Sequence, residues 1–379
     1  MRVVNLSQPD FDQWDNPQSL IVYTTQNDFQ LEAVKIRARF PELNVMGGSS
    51  FHGIMTSSGY KRGSFGLLFE ASDQFILRQR LLDLTDVSDI RGAVCAHFKD
   101  WAEDTSHGAK QLGIHGIQGV EERVIEGLCD CFGQDVKLFG GTAGKDRFLS
   151  QAYVFLNERK VTYGVLVIQI LCDRAVSLVT RSGYLMTLRK GILTESDGRV
   201  IKTIDNRPAA DVYNEWTDRR FEANILKGGD FSRSAALYPL AHCLENEPEC
   251  GCWLVHPYFV NSENKSISLY AEIPQGAEIY LMRGSEDTLI PRMGTAIHEI
   301  LDLVPLACIE SVVIMYCAGC ASIIAERMPE VCQAACQALP GIPFIGCLSY
   351  GEQGLLNHAH RNYHGNMMIE LVAIKKKDA

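Results

Sequence analysis

The chain has 379 residues, 46% of them hydrophobic and 22% charged, and a formal net charge of −10. An acidic chain of this composition is not expected to bind nucleic acid through a general basic surface. Its length exceeds one ordinary hydrophobic core, so two domains are predicted. The first residues lack the apolar core of a signal peptide, and no apolar run is long enough to span a membrane. Thirteen cysteines without a regular spacing favour reduced thiols and a cytoplasmic location.

The first half of the chain alternates between apolar, β-branched runs and stretches of helical spacing. Strands are predicted at 18–25, 65–70, 151–157 and 161–172, and helices at 29–40, 86–104 and 120–132. The last two strands are joined by the polar Glu158-Arg159-Lys160, which predicts a hairpin. We therefore expect a mixed β-sheet rather than a wholly parallel one.

In the second half this alternation occurs on both sides of a glycine-rich stretch at 227–232, which reads as a linker. Strands are predicted at 200–204, 253–260, 266–270, 277–282 and 312–317, and helices at 209–216, 285–303 and 326–339. The predicted fold is α/β, with two domains whose mixed β-sheets are flanked by helices. The domains are predicted at 17–224 and 225–374.

Three stretches share one pattern, in which a helix leads to a short apolar run that ends in glycine and small residues. They lie at 40–50, 132–144 and 341–352. Glycine permits positive φ and close backbone approach, so we expect a shared crevice, a pseudo-symmetric scaffold or merely tight connections. For a crevice, the candidate ligand-binding residues are Ser49, Ser50, Thr142, Ser349 and Glu352.

Other local motifs give weaker signals. Residues 140–145 resemble a phosphate-binding loop, but Phe139 stands where its first glycine belongs and Asp146 replaces the required hydroxyl residue. Cys317 and Cys320 form a C-x-x-C that would be redox-active if its surroundings lowered a thiol pKa. The cluster of Cys243, Cys250 and Cys252 lacks a second well-spaced pair for zinc, so buried structural cysteines are favoured.

Ten histidines offer candidate metal or haem ligands, but a single histidine is more often structural than a ligand. His242 and His256 lie near the cysteine cluster, and His364 follows the third glycine turn. His358 and His360 read as loop residues.

The ordered motifs resemble the FIST family, which combines a FIST N-terminal with a FIST C-terminal domain. The resemblance extends from about residue 17 to 374 and is carried by residues 46–50, 59–64, 140–144, 205–213, 273–283, 316–319 and 343–352. Two departures affect the site. Gly48 and Phe51-His52 replace the family's Cys and Ala-Gly, and Cys320 replaces the Arg of the usual Cys-Ala-Gly-Arg.

The resemblance implies a sensory protein that binds a small ligand or gas and acts on a signalling enzyme. Its haem-based nitric-oxide sensors, called NosP, regulate histidine kinases or cyclic-di-GMP synthases and phosphodiesterases. By this reading, haem b would be held by His364, His256 or His242, with contacts from Tyr350, Tyr363 and Arg361. No nucleic-acid or membrane partner is expected, and a homodimer is compatible with the family.

Two alternatives remain open. A haem-free FIST sensor would bind an amino acid or similar metabolite in the crevice under the glycine turns. An enzyme would depend on a thiol, either Cys347 or the pair Cys317 and Cys320. Because the family's best-known members are sensors, the sequence favours a non-enzymatic protein.

Overall fold

Within its described residues, the chain contains three copies of one strand–helix–strand unit. The structure is a computed structural model, and it describes residues 1–71, 76–104, 111–171, 176–243, 252–355 and 361–376. In each copy a helical connection joins two parallel strands, the second strand ends in a glycine turn, and a hairpin and an antiparallel strand follow. The predicted α/β class, with mixed sheets flanked by helices in a two-domain FIST arrangement, is confirmed.

The first unit spans residues 2–70. Its elements are β1 (Arg2–Asn5), a 3₁₀ helix (Phe11–Gln13), β2 (Pro17–Thr24), α1 (Phe29–Arg39), β3 (Asn44–Ser49), β4 (Ile54–Thr56), β5 (Gly59–Lys61) and β6 (Ser64–Glu70). β2 runs parallel to β3 and antiparallel to β6. The strand predicted at 18–25 and the helix predicted at 29–40 are confirmed within a residue.

The second unit spans residues 77–170. Its elements are β7 (Leu77–Asp83), α2 (Ile90–Glu103), β8 (Gln111–Gly116), α3 (Glu121–Phe132), β9 (Lys137–Thr142), β10 (Val154–Leu156), β11 (Arg159–Val161) and β12 (Gly164–Ile170). The predicted hairpin between 151–157 and 161–172 is wrong. Asn157 adopts a φ of 55°, which turns β10 tightly onto β11, while β12 lies in another sheet between β7 and β8.

The third unit begins with β13 (Val176–Arg181) and is then interrupted by a further sheet, here called the inserted sheet. Its elements are β14 (Leu185–Asp197), β15 (Val200–Ile204), β16 (Arg207–Pro208), α4 (Ala209–Trp216), α5 (Glu222–Lys227), β17 (Gly229–Asp230), α6 (Ser232–Ala235), β18 (Leu240–Cys243), β19 (Cys252–Val255), β20 (Pro257–Val260), β21 (Ile267–Leu269) and β22 (Glu278–Arg283). β14 pairs with both β15 and β22. The predicted domain boundary near residue 225 falls inside this sheet and stays a prediction.

The third unit resumes after the inserted sheet. Its remaining elements are α7 (Glu286–Leu289), α8 (Arg292–Leu303), a 3₁₀ helix (Leu306–Cys308), β23 (Ile309–Cys317), α9 (Ala318–Ile323), a 3₁₀ helix (Ala325–Arg327), α10 (Met328–Ala338), β24 (Phe344–Ser349), β25 (Glu352–Leu355), β26 (Asn362–Gly365) and β27 (Ile369–Lys375). β23 runs parallel to β24 and antiparallel to β27, as the corresponding strands do in the other units.

The three units exchange their hairpins in a closed cycle. The hairpin β4–β5 of the first unit extends the sheet of the third unit at β24. The hairpin β10–β11 of the second unit pairs with β3, and β25–β26 of the third unit pairs with β9. Each sheet is therefore completed by a neighbouring unit, and the pseudo-symmetric scaffold considered from the sequence is present.

The three sheets face one central apolar core, to which residues of all three contribute, such as Phe69, Phe139 and Ile345. Separate apolar clusters lie between each sheet and its outer helices, and another fills the inserted sheet. No helix in the described ranges is both long and apolar enough to cross a membrane.

Glycine is required where the parallel strands approach most closely. Gly140 adopts a φ of +143°, and a methyl group added there would lie 1.8 Å from the Ile114 carbonyl oxygen. Gly47 meets the carbonyl oxygen of Val22 in the same way, at 1.8 Å. The glycine pattern seen in the sequence thus reflects backbone contact between paired strands.

We expect Gly140→Ala to lower the free energy of unfolding by about 3 kcal/mol or more, because the backbone cannot move away from the added methyl group. Gly294→Ala is the matched control, since nothing lies within 4 Å of a methyl group added on α8. That control is expected to be neutral or stabilising by about 0.5–1 kcal/mol. Urea unfolding measures both variants, and equal effects would contradict the prediction.

Candidate functional site

The three glycine turns meet in a ring of backbone hydrogen bonds, here called the turn ring. Each turn donates one amide to a carbonyl of another unit: Phe51 to Leu348 at 3.0 Å, Tyr350 to Thr142 at 3.0 Å, and Gly144 to Ser49 at 3.1 Å. Since every donor and its acceptor belong to different units, the ring closes only when all three units are in place.

The hydroxyl groups predicted to contact a ligand lie in the turn ring and are fully buried. Ser49 Oγ accepts a hydrogen bond from the Tyr153 amide at 3.0 Å. Ser50 Oγ accepts from the Leu348 amide at 2.8 Å and donates to the Gly53 carbonyl at 2.7 Å. The contacts with Tyr153 and Leu348 join neighbouring units, and all three contacts use hydrogen-bonding capacity of the hydroxyl groups that would otherwise be open to a ligand. The ligand-binding role of the hydroxyls stays a prediction.

Glu352 and Ser349 form a pair at the third turn. Ser349 Oγ donates to Glu352 Oε1 at 2.7 Å, and the Met368 amide donates to Oε2 at 3.1 Å. Burial raises the pKa of Glu352 to about 8, although both hydrogen bonds lower it. The carboxyl group is therefore mostly protonated at neutral pH.

Glu121 connects the turn ring to the inserted sheet. Its Oε1 accepts from Thr142 Oγ1 at 3.0 Å, and its Oε2 accepts from Arg199 Nη2 at 2.6 Å. Arg199 lies between β14 and β15, and it also pairs with Glu122. Gln353 completes the group by donating to Thr142 Oγ1 at 2.9 Å. A movement of the inserted sheet would therefore disturb the hydrogen bonds of Thr142.

The residues predicted around His364 are placed apart from one another. The His364 side chain is 1% exposed, with Nε2 3.4 Å from the Tyr270 carbonyl oxygen and 3.8 Å from Glu121 Oε1. Tyr363 is buried in the core of the inserted sheet, and Arg361 is exposed. The structure does not gather these side chains around a common space.

His242 and the cysteine cluster lie on the inserted sheet. Cys243 and Cys252 face each other across β18 and β19 and form a disulfide, so the prediction of reduced thiols is wrong for this pair. His242 Nδ1 lies 3.3 Å from the Glu278 carbonyl oxygen, and its ring is edge-on to Trp253 at 4.5 Å. Cys250, His358 and His360 lie outside the described residues. Among the residues that are described, no group of three or more His, Cys, Asp or Glu side chains could hold a metal ion.

Cys347, the other candidate nucleophile, lies in the central core. It is fully buried, and burial raises its pKa well above the usual value of a thiol. A thiol that stays protonated in an apolar core is a poor nucleophile, which does not favour the thiol-enzyme alternative at this residue.

A cavity of about 290 Å³ lies between the turn ring and the inserted sheet. Its walls are formed by residues of the three units and of the inserted sheet: Phe51, Gln118, Ser232, Arg233, Ala236, His256, Tyr270, Cys317, Ala318, Gly319, Ser322, Tyr350 and Asn366. Of the residues predicted from the sequence as cofactor ligands or contacts, His256 and Tyr350 line it. We call this space the ring cavity.

His256 is held in one tautomer by its neighbours. Its Nε2 donates to the Ser232 carbonyl at 2.8 Å, which leaves Nδ1 as an acceptor beside Gly319, another lining residue. Burial lowers the pKa of His256 to about 4, although the bond to Ser232 raises it. The ring is therefore neutral at physiological pH, and its lone pair is free to accept a hydrogen bond.

Sequence patterns did not identify most polar residues of the ring cavity, such as Arg233, Tyr270 and Asn366. They come from segments far apart in the chain, and Arg233 directly follows the stretch that reads as a linker. Only the tertiary fold brings them together, so local spacing carries no signal. Alternation in 266–270 predicts the strand that leads to Tyr270 but not the direction of its side chain.

The raised pKa of Glu352 predicts a pH dependence of stability. A carboxyl group whose folded pKa exceeds its unfolded value stabilises the protein below the unfolded pKa, and this contribution is lost as the pH rises. The free energy of unfolding is therefore expected to fall as the pH rises from 4.5 to about 8. The slope would be up to about 1.4 kcal/mol per pH unit. Glu370, whose pKa burial also raises, acts in the same direction.

Glu352→Gln is expected to reduce this slope, measured as the free energy of urea unfolding across this pH range. Glu330→Gln is the control, because Arg327 lowers the pKa of this exposed carboxyl and moves its effect on stability below pH 4.5. A wild-type slope in Glu352→Gln would show that Glu352 is already ionised in the folded protein.

Comparison with known protein families shows to which family the chain belongs. Residues 18–207 match the FIST N domain, and residues 209–355 match the FIST C domain. No curated protein matches the chain. FIST domains are sensor domains of signal transduction rather than enzymes, and the two matches follow each other in the predicted order. The chain therefore belongs to the FIST family.

Proposed function

We propose that this FIST protein is a sensor that binds a small metabolite with a carboxylate group, such as an amino acid, in the ring cavity. The observation that carries the proposal is the presence of a neutral imidazole acceptor, His256, and of the guanidinium of Arg233, which has no ion pair among the described residues, on the walls of one cavity. Binding sites of this type combine apolar walls with a few polar groups that fix the orientation of the ligand.

Arg233 supplies the positive charge. It lies on α6 at the edge of the ring cavity, its side chain is exposed, and it forms no ion pair with any carboxylate in the described ranges. A guanidinium binds a carboxylate through two parallel hydrogen bonds, which suits the acid group of a metabolite. The carboxylate of the ligand would supply the ion-pair partner that Arg233 lacks among the described residues.

His256 supplies the complementary acceptor. Its Nδ1 has no hydrogen-bond partner among the described residues, and its low pKa keeps the ring from competing as a cation. An ammonium group donates strongly to such a lone pair. A hydrogen-bond acceptor and a cation on the walls of the same cavity complement the ammonium and carboxylate groups of an amino acid.

The size of the ring cavity favours a ligand smaller than haem. Its 290 Å³ lies just below the range of about 300–1,000 Å³ that is typical of ligand pockets. A haem needs apolar walls around a whole macrocycle, and the described residues offer none at His364, which is enclosed by Glu121 and Tyr270. His256 remains the histidine best placed for a ligand, and the haem and nitric-oxide hypothesis stays a prediction.

A signal would arise because the ligand contacts two parts of the protein. Phe51 and Tyr350 belong to the turn ring, whereas Arg233 and His256 belong to the inserted sheet. A ligand that binds one arrangement of these parts more tightly shifts the population toward it. The output would pass to a partner such as a histidine kinase or a cyclic-di-GMP enzyme, in the cytoplasm.

Calorimetry with a panel of amino acids and small carboxylates tests the proposal. We expect at least one to bind, and Arg233→Gln to weaken binding about 10- to 100-fold, because a hydrogen bond to a charged group is lost. Arg189→Gln, which removes an exposed arginine away from the ring cavity, is the control and should bind like the wild type. Unchanged affinity in Arg233→Gln, or no binding across the panel, would contradict the proposal.

An absorption spectrum after expression with haem separates the two sensor hypotheses. A Soret band that shifts with nitric oxide and disappears in His256→Ala, but not in His242→Ala, would replace the metabolite proposal with a haem sensor. A protein without haem that binds a carboxylate would support the metabolite proposal.

A further inference from the structure

Three aromatic side chains line the ring cavity, and they come from two parts of the protein. Phe51 and Tyr350 belong to the turn ring, whereas Tyr270 follows β21 of the inserted sheet. The rings of Phe51 and Tyr350 have centroids 6.1 Å apart and are inclined by 50° to each other. Because the face of an aromatic ring is negative, walls of this composition attract a cation that enters the cavity.

The three aromatic residues are held by contacts with residues that do not line the cavity. Tyr270 stacks on Tyr258, with 4.3 Å between the ring centroids and 19° between the planes. The hydroxyl group of Tyr350 donates to the Lys145 carbonyl, and the amides of Phe51 and Tyr350 donate to other units in the turn ring. Side chains that are already held in place lose little entropy when a ligand binds.

No cation of the protein occupies these rings in the described part of the chain. The Lys and Arg side chains that make cation–π contacts there lie over other rings, such as those of Phe148 and Trp101. Nothing positively charged therefore lies over Phe51, Tyr270 or Tyr350 among the described residues. A cationic ligand would find these aromatic surfaces free.

The walls of the ring cavity offer an ammonium group no carboxylate. No Asp or Glu is among the described residues that line it, and Asp230, which lies beside it, accepts from the amide and hydroxyl of Ser232 at 3.1 and 2.9 Å. A primary ammonium group carries three N–H donors, and each donor that leaves water without finding an acceptor costs free energy. Methyl groups on the nitrogen remove such donors and keep the positive charge.

We propose that the ligand of the ring cavity is a carboxylate whose ammonium group is N-methylated and retains one N–H, as in N,N-dimethylglycine. This inference rests on the proposed sensor function and names the class of its ligand. The single N–H donates to His256 Nδ1, the methylated nitrogen contacts the aromatic rings, and the carboxylate pairs with Arg233.

The number of methyl groups follows from the walls of the cavity. A fully methylated nitrogen cannot donate to His256 Nδ1, whereas a primary ammonium brings two further donors that need acceptors. The methyl groups also match the apolar walls, to which Ala236 and Ala318 contribute. Two methyl groups and one N–H therefore complement the cavity better than either extreme.

The cation would lie between the two parts of the protein that form the cavity. Tyr270 and His256 belong to the inserted sheet, and Phe51 and Tyr350 belong to the turn ring. A ligand whose cation contacts both sets of side chains favours the arrangement in which they are close. The methylated nitrogen would thus contribute to the signal as well as to affinity.

Calorimetry of the full-length protein with two methylation series tests the proposal. One series is glycine, sarcosine, N,N-dimethylglycine and glycine betaine, and the other is 4-aminobutyrate with its mono-, di- and trimethylated forms. In at least one series we expect the dimethylated member to bind most tightly, about tenfold or more above the unmethylated member. Tightest binding of the unmethylated or the trimethylated member in both series, or no binding of either series, would overturn the proposal.

Substitution of Tyr270 tests the role of the aromatic wall. Tyr270→Leu is expected to weaken binding of the dimethylated member about 3- to 30-fold and to reduce its advantage over the unmethylated member. Tyr270→Phe keeps the ring and should lose much less affinity. Tyr163→Leu, which removes an exposed tyrosine that does not line the cavity, is the control and should bind like the wild type. Wild-type binding in a folded Tyr270→Leu would refute this role.

A second aromatic substitution covers the case in which Tyr270→Leu does not fold. Phe51→Leu removes a ring from the other part of the cavity wall and is expected to have the same effect on the dimethylated member. The two methylation series need only the wild-type protein, so they decide the proposal even if neither variant folds.

The same measurements separate this inference from the sensor function on which it rests. Arg233→Gln should weaken every member of a series by a similar factor, because all members share the carboxylate. If an unmethylated amino acid binds best and Arg233→Gln weakens it, the sensor function stands and the inference about methylation fails. If neither the two series nor any other carboxylate binds, both fail.

Discussion

Closure of the turn ring is the constraint on which the remainder of the structure depends. Three backbone hydrogen bonds between units, together with three exchanged hairpins, leave no unit with a complete sheet of its own. Each unit must therefore form contacts distant in sequence before its sheet is finished, and folding is expected to be cooperative across residues 2–375. The close approach of paired backbones at Gly47 and Gly140 belongs to the same constraint.

The ring cavity lies where the pseudo-symmetry is broken. Phe51, Gly144 and Tyr350 occupy corresponding positions as the ring donors, but only the two aromatic residues line the cavity. At Gly144 a side chain is excluded, because an added methyl group would lie 2.9 Å from the Phe51 amide nitrogen and side chain. The inserted sheet occurs in the third unit alone and supplies the opposite wall. The three repeated units thus form the scaffold, and the inserted sheet provides polar side chains on the wall of the cavity.

The sequence predicts most strands and helices of the units, because their apolar periodicity is local. It also reveals the three glycine turns, since close backbone contact restricts residue choice at Gly47 and Gly140. It does not reveal the hairpin exchange, because strand partners are set by contacts more than 100 residues apart, as between β4 and β24. β14 was not predicted because most of its side chains are exposed and it lacks alternation.

The candidate site was harder to predict than the fold, for a related reason. The C-x-x-C motif is visible, but the position of Cys317 on the wall of the ring cavity is set only by the tertiary fold. The third glycine turn likewise identifies Glu352, although its protonation depends on complete burial between distant strands. Hydroxyl-rich turns suggest a ligand crevice, yet here their hydroxyls hold the units together, and the cavity lies beside them. In this fold the hydroxyl groups of Ser49 and Ser50 contact neighbouring units, and several residues that line the cavity, such as Arg233 and Asn366, carry no local pattern.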